Sequence, residues 1–182
     1  AQRVLRRRLS HALGRLPAEP RIELLQLGNS LDESLARQAR RGMARDARYR
    51  WLGSVPHARA LRWLASSHAM VISSRMEGGA NVVSEAIRIG VPVLASRISG
   101  NIGLLGATYP AYFTPGNECE LAALMQRTAI DHSLYRDLKR RIAVLRPKVA
   151  PQNEARMLCR VIEKWRPGSE RFKPPRAARA RT

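Results

Sequence analysis

The residues of this chain best suited to chemistry are two glutamates flanking a double glycine. Glu77 is followed by Gly78, Gly79, Ala80, Asn81 and Val82, and Glu85 stands eight positions beyond Glu77. Two adjacent glycines let the backbone approach a ligand closely and leave the first N–H groups of the next helix pointing outward. Such an end favours a phosphate or a sugar hydroxyl oxygen. A carboxylate beside it can accept hydrogen bonds from sugar hydroxyls, and one further along can hold a ribose. Asn81 and Glu85 are four apart and share a helix face, while Val82, Val83, Ala86 and Ile87 can face a sheet. The spacing alone is weak, because two glutamates eight apart arise by chance in most helical proteins. Their setting is much rarer: an apolar strand before, Gly-Gly at the helix start, and Gly90-Val91-Pro92-Val93 behind.

Other reactive side chains form no such pattern. His11, His57, His68 and His132 lack metal-ligand spacing, and no Asp-x-Asp occurs, so no metal and no cofactor are expected. Ser73, Ser74 and Ser84 have no nucleophile-elbow context. Cys119 and Cys159 cannot build a disulfide framework and are expected as buried thiols. Arg75 and Arg97 are either surface charges or partners of a phosphate or of the glutamates. Trp51, Trp63 and Trp165 read as packing residues.

The elements that must position Glu77 and Glu85 are legible from glycine, proline and hydrophobic period. A helix over Gln2–Leu13 stops at Gly14 and Pro17. Strands are predicted at about 21–27, 49–52, 69–73 and 91–95, with Tyr112-Phe113 as a last short one. Between them lie a polar helix to about Asp46 with Ser30 or Asp32 as its cap, a helix over Ala58–Ser66, and one ending near Ile89. The run Ala69–Ile72 reads as a strand buried on both faces. A Gly-rich turn, Ser99-Gly100-Asn101, opens the segment Ile102–Leu105. Helices follow over Glu118–Ile130, Ser133–Leu145 and Pro151–Trp165. Repeated strand–helix alternation specifies an α/β fold, a Rossmann-like parallel sheet with helices on both faces. Ligands then bind outside the carboxyl ends of the strands, in the loops after Leu27, Leu52, Ile72 and Ala95.

The chain of 182 residues is 45% hydrophobic and 26% charged, which fits one globular domain and excludes disorder throughout. No apolar run is long enough to span a bilayer and no signal-peptide order is present, so a cytoplasmic protein is expected. The net charge of +19 invites a nucleic-acid reading. Its distribution argues against that. Residues 1–15 carry five arginines and no acid, residues 166–182 carry six bases and one acid, and the stretch Met70–Ile130 is neutral. Aromatic residues are only 5%, too few for stacking platforms. Residues 1–165 are expected to form the folded domain and 166–182 a basic, disordered tail.

The stretch Glu77-Gly78-Gly79-Ala80-Asn81-Val82-Val83-Ser84-Glu85-Ala86, followed by Gly90-Val91-Pro92-Val93 and the glycine loop Ser99-Gly100-Asn101, resembles the C-terminal half of GT-B glycosyltransferases of family 4. The likeness covers roughly residues 20 to 130. The wording from Glu77 through Gly106 is similar to a narrower branch, the selenosugar synthases of selenoneine biosynthesis, which join selenophosphate to the sugar of UDP-N-acetylglucosamine. The resemblance implies that Glu77 contacts the donor sugar and that Glu85 holds the ribose. It implies that backbone N–H groups from Gly78 to Asn81, with Val82 beside them, face the sugar or diphosphate. Ser99, Gly100 and Asn101 stand at a second phosphate loop, without the glutamate that often follows it. Gly53 and Ser54 fall where the family places the base. The family's basic pair near the first strand, and its acceptor-binding N-terminal domain, have no counterpart here, so the chain reads as a donor-binding half. The alternatives are a family 4 enzyme with an alcohol acceptor, or a basic polyanion-binding module without catalysis.

Overall fold

A computed structural model describes residues 11–18, 22–30, 32–75, 81–150, 153, 159–160 and 162–163. The chain divides into two compact units, Ala1–Arg146 and Pro147–Thr182. In the first, strand and helix alternate. Helix α1, described at residues 11–13, leads to β1 (Leu24–Gln26), α2 (Glu33–Arg45), β2 (Tyr49–Trp51), α3 (His57–Ala65) and β3 (Met70–Ile72). Then come α4 (Asn81–Ile89), β4 (Val93–Ser96), α5 (Ser99–Leu105), β5 (Tyr112–Phe113), α6 (Glu118–Ile130) and α7 (His132–Leu145).

Every strand pair is parallel, as the alternation requires. β1 pairs with β2, Leu24 opposite Tyr49, and β3–β4–β5 form a second set with Met70 opposite Val93 and Ala95 opposite Tyr112. Among the described residues β1 and β3 are not bonded to each other, so the strands stand as a pair and a triplet. β4 is buried along its whole length, with α4 and α6 both packed against it. β3 lies at the edge of the triplet, and Met70 and Val71 are only half-buried, where the sequence suggested burial on both faces. Helices cover both sheet faces.

Caps explain where the helices begin. The Asp32 carboxylate accepts from the Leu35 N–H at 3.0 Å, which settles the cap of α2 in favour of Asp32. Asn117 Oδ1 accepts from the N–H groups of Cys119 and Glu120, both at 3.1 Å, at the start of α6. Asp131 Oδ1 accepts from Leu134 N at 2.9 Å and Ser133 N at 3.0 Å at the start of α7. The Leu134 bond foremost holds the Asp131 carboxyl below its ordinary range. Helix α4 ends at Gly90, whose φ of 91° is open to glycine at little cost. Lys139 of α7 donates to the Gly90 carbonyl at 2.9 Å.

Cys119 and Cys159 are both exposed, against the expectation of buried thiols. Cys119 sits in the first turn of α6 beside its cap, while the buried side of that helix is carried by Leu121, Ala122, Leu124, Met125 and Thr128. A 3-10 turn covers Arg146–Val149, and in the second unit the Asn153 backbone N–H donates to the Ala150 carbonyl at 2.9 Å. Of the helix expected at Pro151–Trp165, positions 153, 159–160 and 162–163 are described and helical, and Ile162 is 54% exposed. The expected tail at 166–182 lies outside the described residues. No helix among the described residues is long and apolar enough to cross a membrane.

Tyr109 shows how the triplet is completed. The Val93 N–H, on the side of β4 that faces β5, donates to the buried Tyr109 hydroxyl at 3.1 Å. The ring also meets Tyr112 edge to face at 5.7 Å. Burial pushes the Tyr109 phenol well above its ordinary range, so it stays protonated. Tyr109→Phe is expected to strand the Val93 N–H and cost about 1–3 kcal/mol of unfolding free energy, read by urea denaturation.

Candidate functional site

The carboxyl ends of the parallel strands carry the loops that the sequence singles out. At β1 and β2 the loops are stitched together. The Leu52 N–H donates to the Gln26 carbonyl at 3.0 Å, and Gly28 N–H donates to the Gly53 carbonyl at 2.8 Å. Trp51 Nε1 donates to the Gly28 carbonyl at 2.9 Å. Gly53 has φ of 66°, a left-handed turn that a side chain would strain, and it aims the chain through the exposed Ser54 toward Pro56 and α3. Helix α3 then opens on His57, with no side-chain cap.

The ends of β3 and β4 are bound more tightly. Ser73 and Ser74 follow β3 and are buried; Arg75 is exposed. Ser96, the last residue of β4, donates its hydroxyl to the Ser74 carbonyl at 2.6 Å. Asn101 Nδ2 donates to the Ser96 carbonyl at 2.8 Å and reaches the Ser96 Oγ at 3.3 Å. Ser99, Gly100 and Asn101 are not a free turn: they form the first turn of α5. Ser99 is exposed and Gly100 half-buried, but the Asn101 side chain is fully buried and faces the end of β4. Among the described residues its Oδ1, like Ser73 Oγ, has no hydrogen-bond partner. Arg97 lies over the Tyr112 ring at 5.4 Å, and its N–H donates to the Phe113 carbonyl at 2.8 Å.

Glu77, Gly78, Gly79 and Ala80 lie outside the described residues. Helix α4 begins at the exposed Asn81, and Val83, Ala86 and Ile87 are fully buried. Val82 is 42% exposed, so it does not join the sheet-facing side. The three buried residues already fill that stripe, and Val82 falls outside it. Glu85, on the face of α4 turned away from Val83 and Ile87, nevertheless has a side chain only 19% exposed. Its Oε1 lies 2.8 Å from His57 Nε2. This contact joins the loop side of β2 to the helix that follows β3. A carboxylate only accepts, so the His57 Nε2 carries the proton in this contact.

His57 is the residue that sequence reasoning missed. It stands 28 positions from Glu85, and only the packing of α3 against α4 brings the two together. Its one sequence signal was its place right after Pro56, in the loop expected at the nucleotide base. The structure thus gathers Glu85 with His57, and Asn101 with Ser96 and Ser74, while Gly53 is tied to Gly28. Two shallow depressions lie elsewhere, one on α3 at Arg59, Arg62, Trp63 and Ser66, the other at Ala18 and Arg45–Arg48.

A parallel α/β domain with its polar residues gathered at the strand carboxyl ends has the architecture of one half of a GT-B glycosyltransferase. A family model described as glycosyl transferases group 1 matches residues 3–131, and the chain belongs to that family. Among solved structures, Anabaena HepE in complex with UDP superposes with a TM-score of 0.72 at 20% identity, covering 85% of this chain and 44% of that one. HepE with UDP-glucose gives 0.70 at 20% identity, over 84% and 44%. Sucrose-phosphate synthase of Thermosynechococcus elongatus gives 0.65 at 20% identity, over 90% and 43%. At these identities the likeness is one of fold. The chain therefore spans less than half the length of the structures it matches.

Ser96 is the joint between β3, β4 and α5. Ser96→Ala leaves the Ser74 carbonyl without that donor and is expected to lower unfolding free energy by about 1–3 kcal/mol, with an unchanged denaturant slope.

Proposed function

We propose that this chain is the donor-binding half of a glycosyltransferase that draws its sugar from a UDP-sugar. One observation carries the reading: in a chain of this family, a carboxylate on the helix after β3 stands near the strand ends with one oxygen held by His57. HepE was solved in complex with UDP and with UDP-glucose, which supports a uridine nucleotide. In this reading Glu85 accepts from the ribose hydroxyls and Glu77 from the donor sugar. The backbone N–H groups from Gly78 to Asn81, beside Val82, face the diphosphate. Ser99 and Gly100 approach it from α5, with Asn101 holding their turn from within, and Gly53 and Ser54 border the base.

Departure of UDP builds negative charge on the diphosphate, which preorganised donors must meet. The N-terminus of α4 supplies N–H groups, and transfer proceeds in this reading without a metal ion. For the narrower reaction we propose UDP-N-acetylglucosamine as donor and selenophosphate as acceptor, which rests on the wording of residues 77–106. A selenium–carbon bond forms at the anomeric carbon as the carbon–oxygen bond to UDP breaks, and its electron pair leaves with UDP. An ionised, soft nucleophile needs little help from a base. The working enzyme, in this reading, further contains an acceptor-binding N-terminal GT-B domain, in keeping with a chain that spans 44% of the HepE chain it matches. In this reading the donor domain takes in residues 1–165, the strongly basic sequence 166–182 follows it, and the enzyme acts in the cytoplasm.

In the full-length enzyme Glu77→Ala is expected to slow transfer by about one to two orders of magnitude, the loss of one charge-assisted hydrogen bond in the transition state. Initial rates with UDP-N-acetylglucosamine measure it, and wild-type rates would remove Glu77 from the site. With selenophosphate and excess EDTA, UDP release and a selenosugar are expected by mass spectrometry. Activity lost to EDTA and restored by magnesium refutes the metal-free mechanism. Turnover only on an alcohol acceptor leaves the broad family without the selenium branch. Binding of heparin without any turnover favours the polyanion module.

A further inference from the structure

The geometry points to His57 as the positioning residue for the nucleotide: it holds Glu85 by one oxygen so that the other faces the ribose. This rests on the UDP-sugar reading above. The two side chains differ in a telling way. Glu85 is largely covered, at 19% exposed, whereas His57 is 70% exposed and lies at the first position of α3. A packing histidine would be buried. This one stands in solvent, and its recorded side-chain contact is with the carboxylate at 2.8 Å.

A glutamate has three side-chain torsions, and its carboxylate offers about four lone-pair directions. Left alone at the margin of a helix, it would sample several rotamers, of which few face a ligand. A hydrogen bond from Nε2 to Oε1 selects one rotamer and fixes the carboxylate plane. It occupies one side of Oε1 and, among the described residues, leaves Oε2 open to a vicinal diol, whose hydroxyls both donate. Ribose presents such a diol at its 2′ and 3′ positions.

The backbone around His57 is held in its turn. Gly53, at φ of 66°, turns the loop, its carbonyl is held by Gly28 N–H at 2.8 Å, and Pro56 sets the residue before α3. The imidazole therefore reaches Glu85 from an anchored loop. The loop expected at the base and the helix expected at the ribose are thereby joined by one hydrogen bond. A ligand that carries both base and ribose would meet one prearranged surface rather than two independent ones. Preorganisation of this kind raises affinity by lowering what must be ordered on binding.

The test is titration of UDP into the full polypeptide carrying these residues, by calorimetry, for His57→Phe, His57→Gln, Glu85→Ala and the double variant His57→Phe/Glu85→Ala. His57→Phe is expected to weaken UDP by roughly fivefold to twentyfold, less than a direct hydrogen bond to a charged group would give, because the contact is exposed and acts at one remove from the ligand. His57→Gln, whose Nε2 amide can donate to the same oxygen, is expected to recover most of that loss. In the Glu85→Ala background His57→Phe should have no further effect, because the histidine acts through the glutamate. Melting temperatures within a few degrees of wild type, as an exposed position implies, separate these effects from unfolding. Unchanged UDP affinity in His57→Phe, with Glu85→Ala impaired, overturns the histidine's role alone. An equal loss in both backgrounds overturns the route through Glu85. Wild-type affinity in Glu85→Ala, or no UDP binding by the unaltered protein, overturns the nucleotide reading and this inference with it.

Discussion

Parallel pairing is the constraint on which the rest of this structure depends. When β3 and β4 run in the same direction, the loops that leave them emerge on one side, and their ends must be reconciled there. Ser96 does this with a single hydroxyl, which donates to the Ser74 carbonyl while Asn101 donates to its own carbonyl. The chain leaving β3 toward the glutamate loop and the helix following β4 are thus set by one small polar cluster. That cluster is buried, so its bonds act at low local dielectric and a broken one has no water to replace it. Small side chains suit the place: a serine is short enough to let two chain segments meet, and an asparagine can donate across the turn.

The same economy governs α4. Its buried stripe of Val83, Ala86 and Ile87 fixes the rotation of the helix about its axis. Burial of two such aliphatic side chains contributes several kcal/mol, on the order of 1.5–3 kcal/mol each. A surface hydrogen bond contributes about 1 kcal/mol. Packing therefore decides where Glu85 sits, and His57 only decides how its carboxylate is turned. Gly90 and Lys139 hold the far end, since a left-handed glycine ends the helix and the lysine covers its carbonyl.

How far these features were legible in the sequence differs with the physics behind each. Apolar runs bounded by glycine and proline report strands well, and the order and direction of β1 to β5 followed from alternation with helices. Edges were less legible. Nothing in the run Met70-Val71-Ile72 says whether a neighbour pairs on both sides, and the half-exposed Met70 and Val71 show that β3 is an edge strand of its triplet. Ser99-Gly100-Asn101 looks like a turn because all three residues favour turns, yet it is helical. The buried Asn101 side chain, bonded to Ser96, offsets the poor helix propensity. Cys119 was expected inside from its residue type, but its place in the first turn of a capped helix put it outside. The glycines and glutamates of the 77–85 stretch proposed for the site stand out in the sequence as a pattern, although of them only Glu85 lies among the described residues. Its partner His57 does not stand out, because a contact across 28 residues leaves no mark on local spacing.

Charge shows a similar division between what composition announces and what the fold uses. A net charge of +19 implies a strong field, yet the stretch Met70–Ile130, which holds most of the residues proposed for the site, is neutral in sequence. Of its arginines, Arg97 is placed over the Tyr112 ring, which orients the guanidinium while leaving its charge unpaired by an acid in that contact. Arg75 is exposed after β3. A mobile basic surface attracts any polyanion and discriminates poorly, since point charges on long stems adapt to many shapes. Backbone N–H groups at a helix start do the opposite. They are fixed by the helix itself and fit only a ligand of matching shape. For the nucleotide diphosphate proposed as its ligand, this domain would gain more from such fixed dipoles, and from a carboxylate turned by a neighbouring imidazole, than from further positive charge.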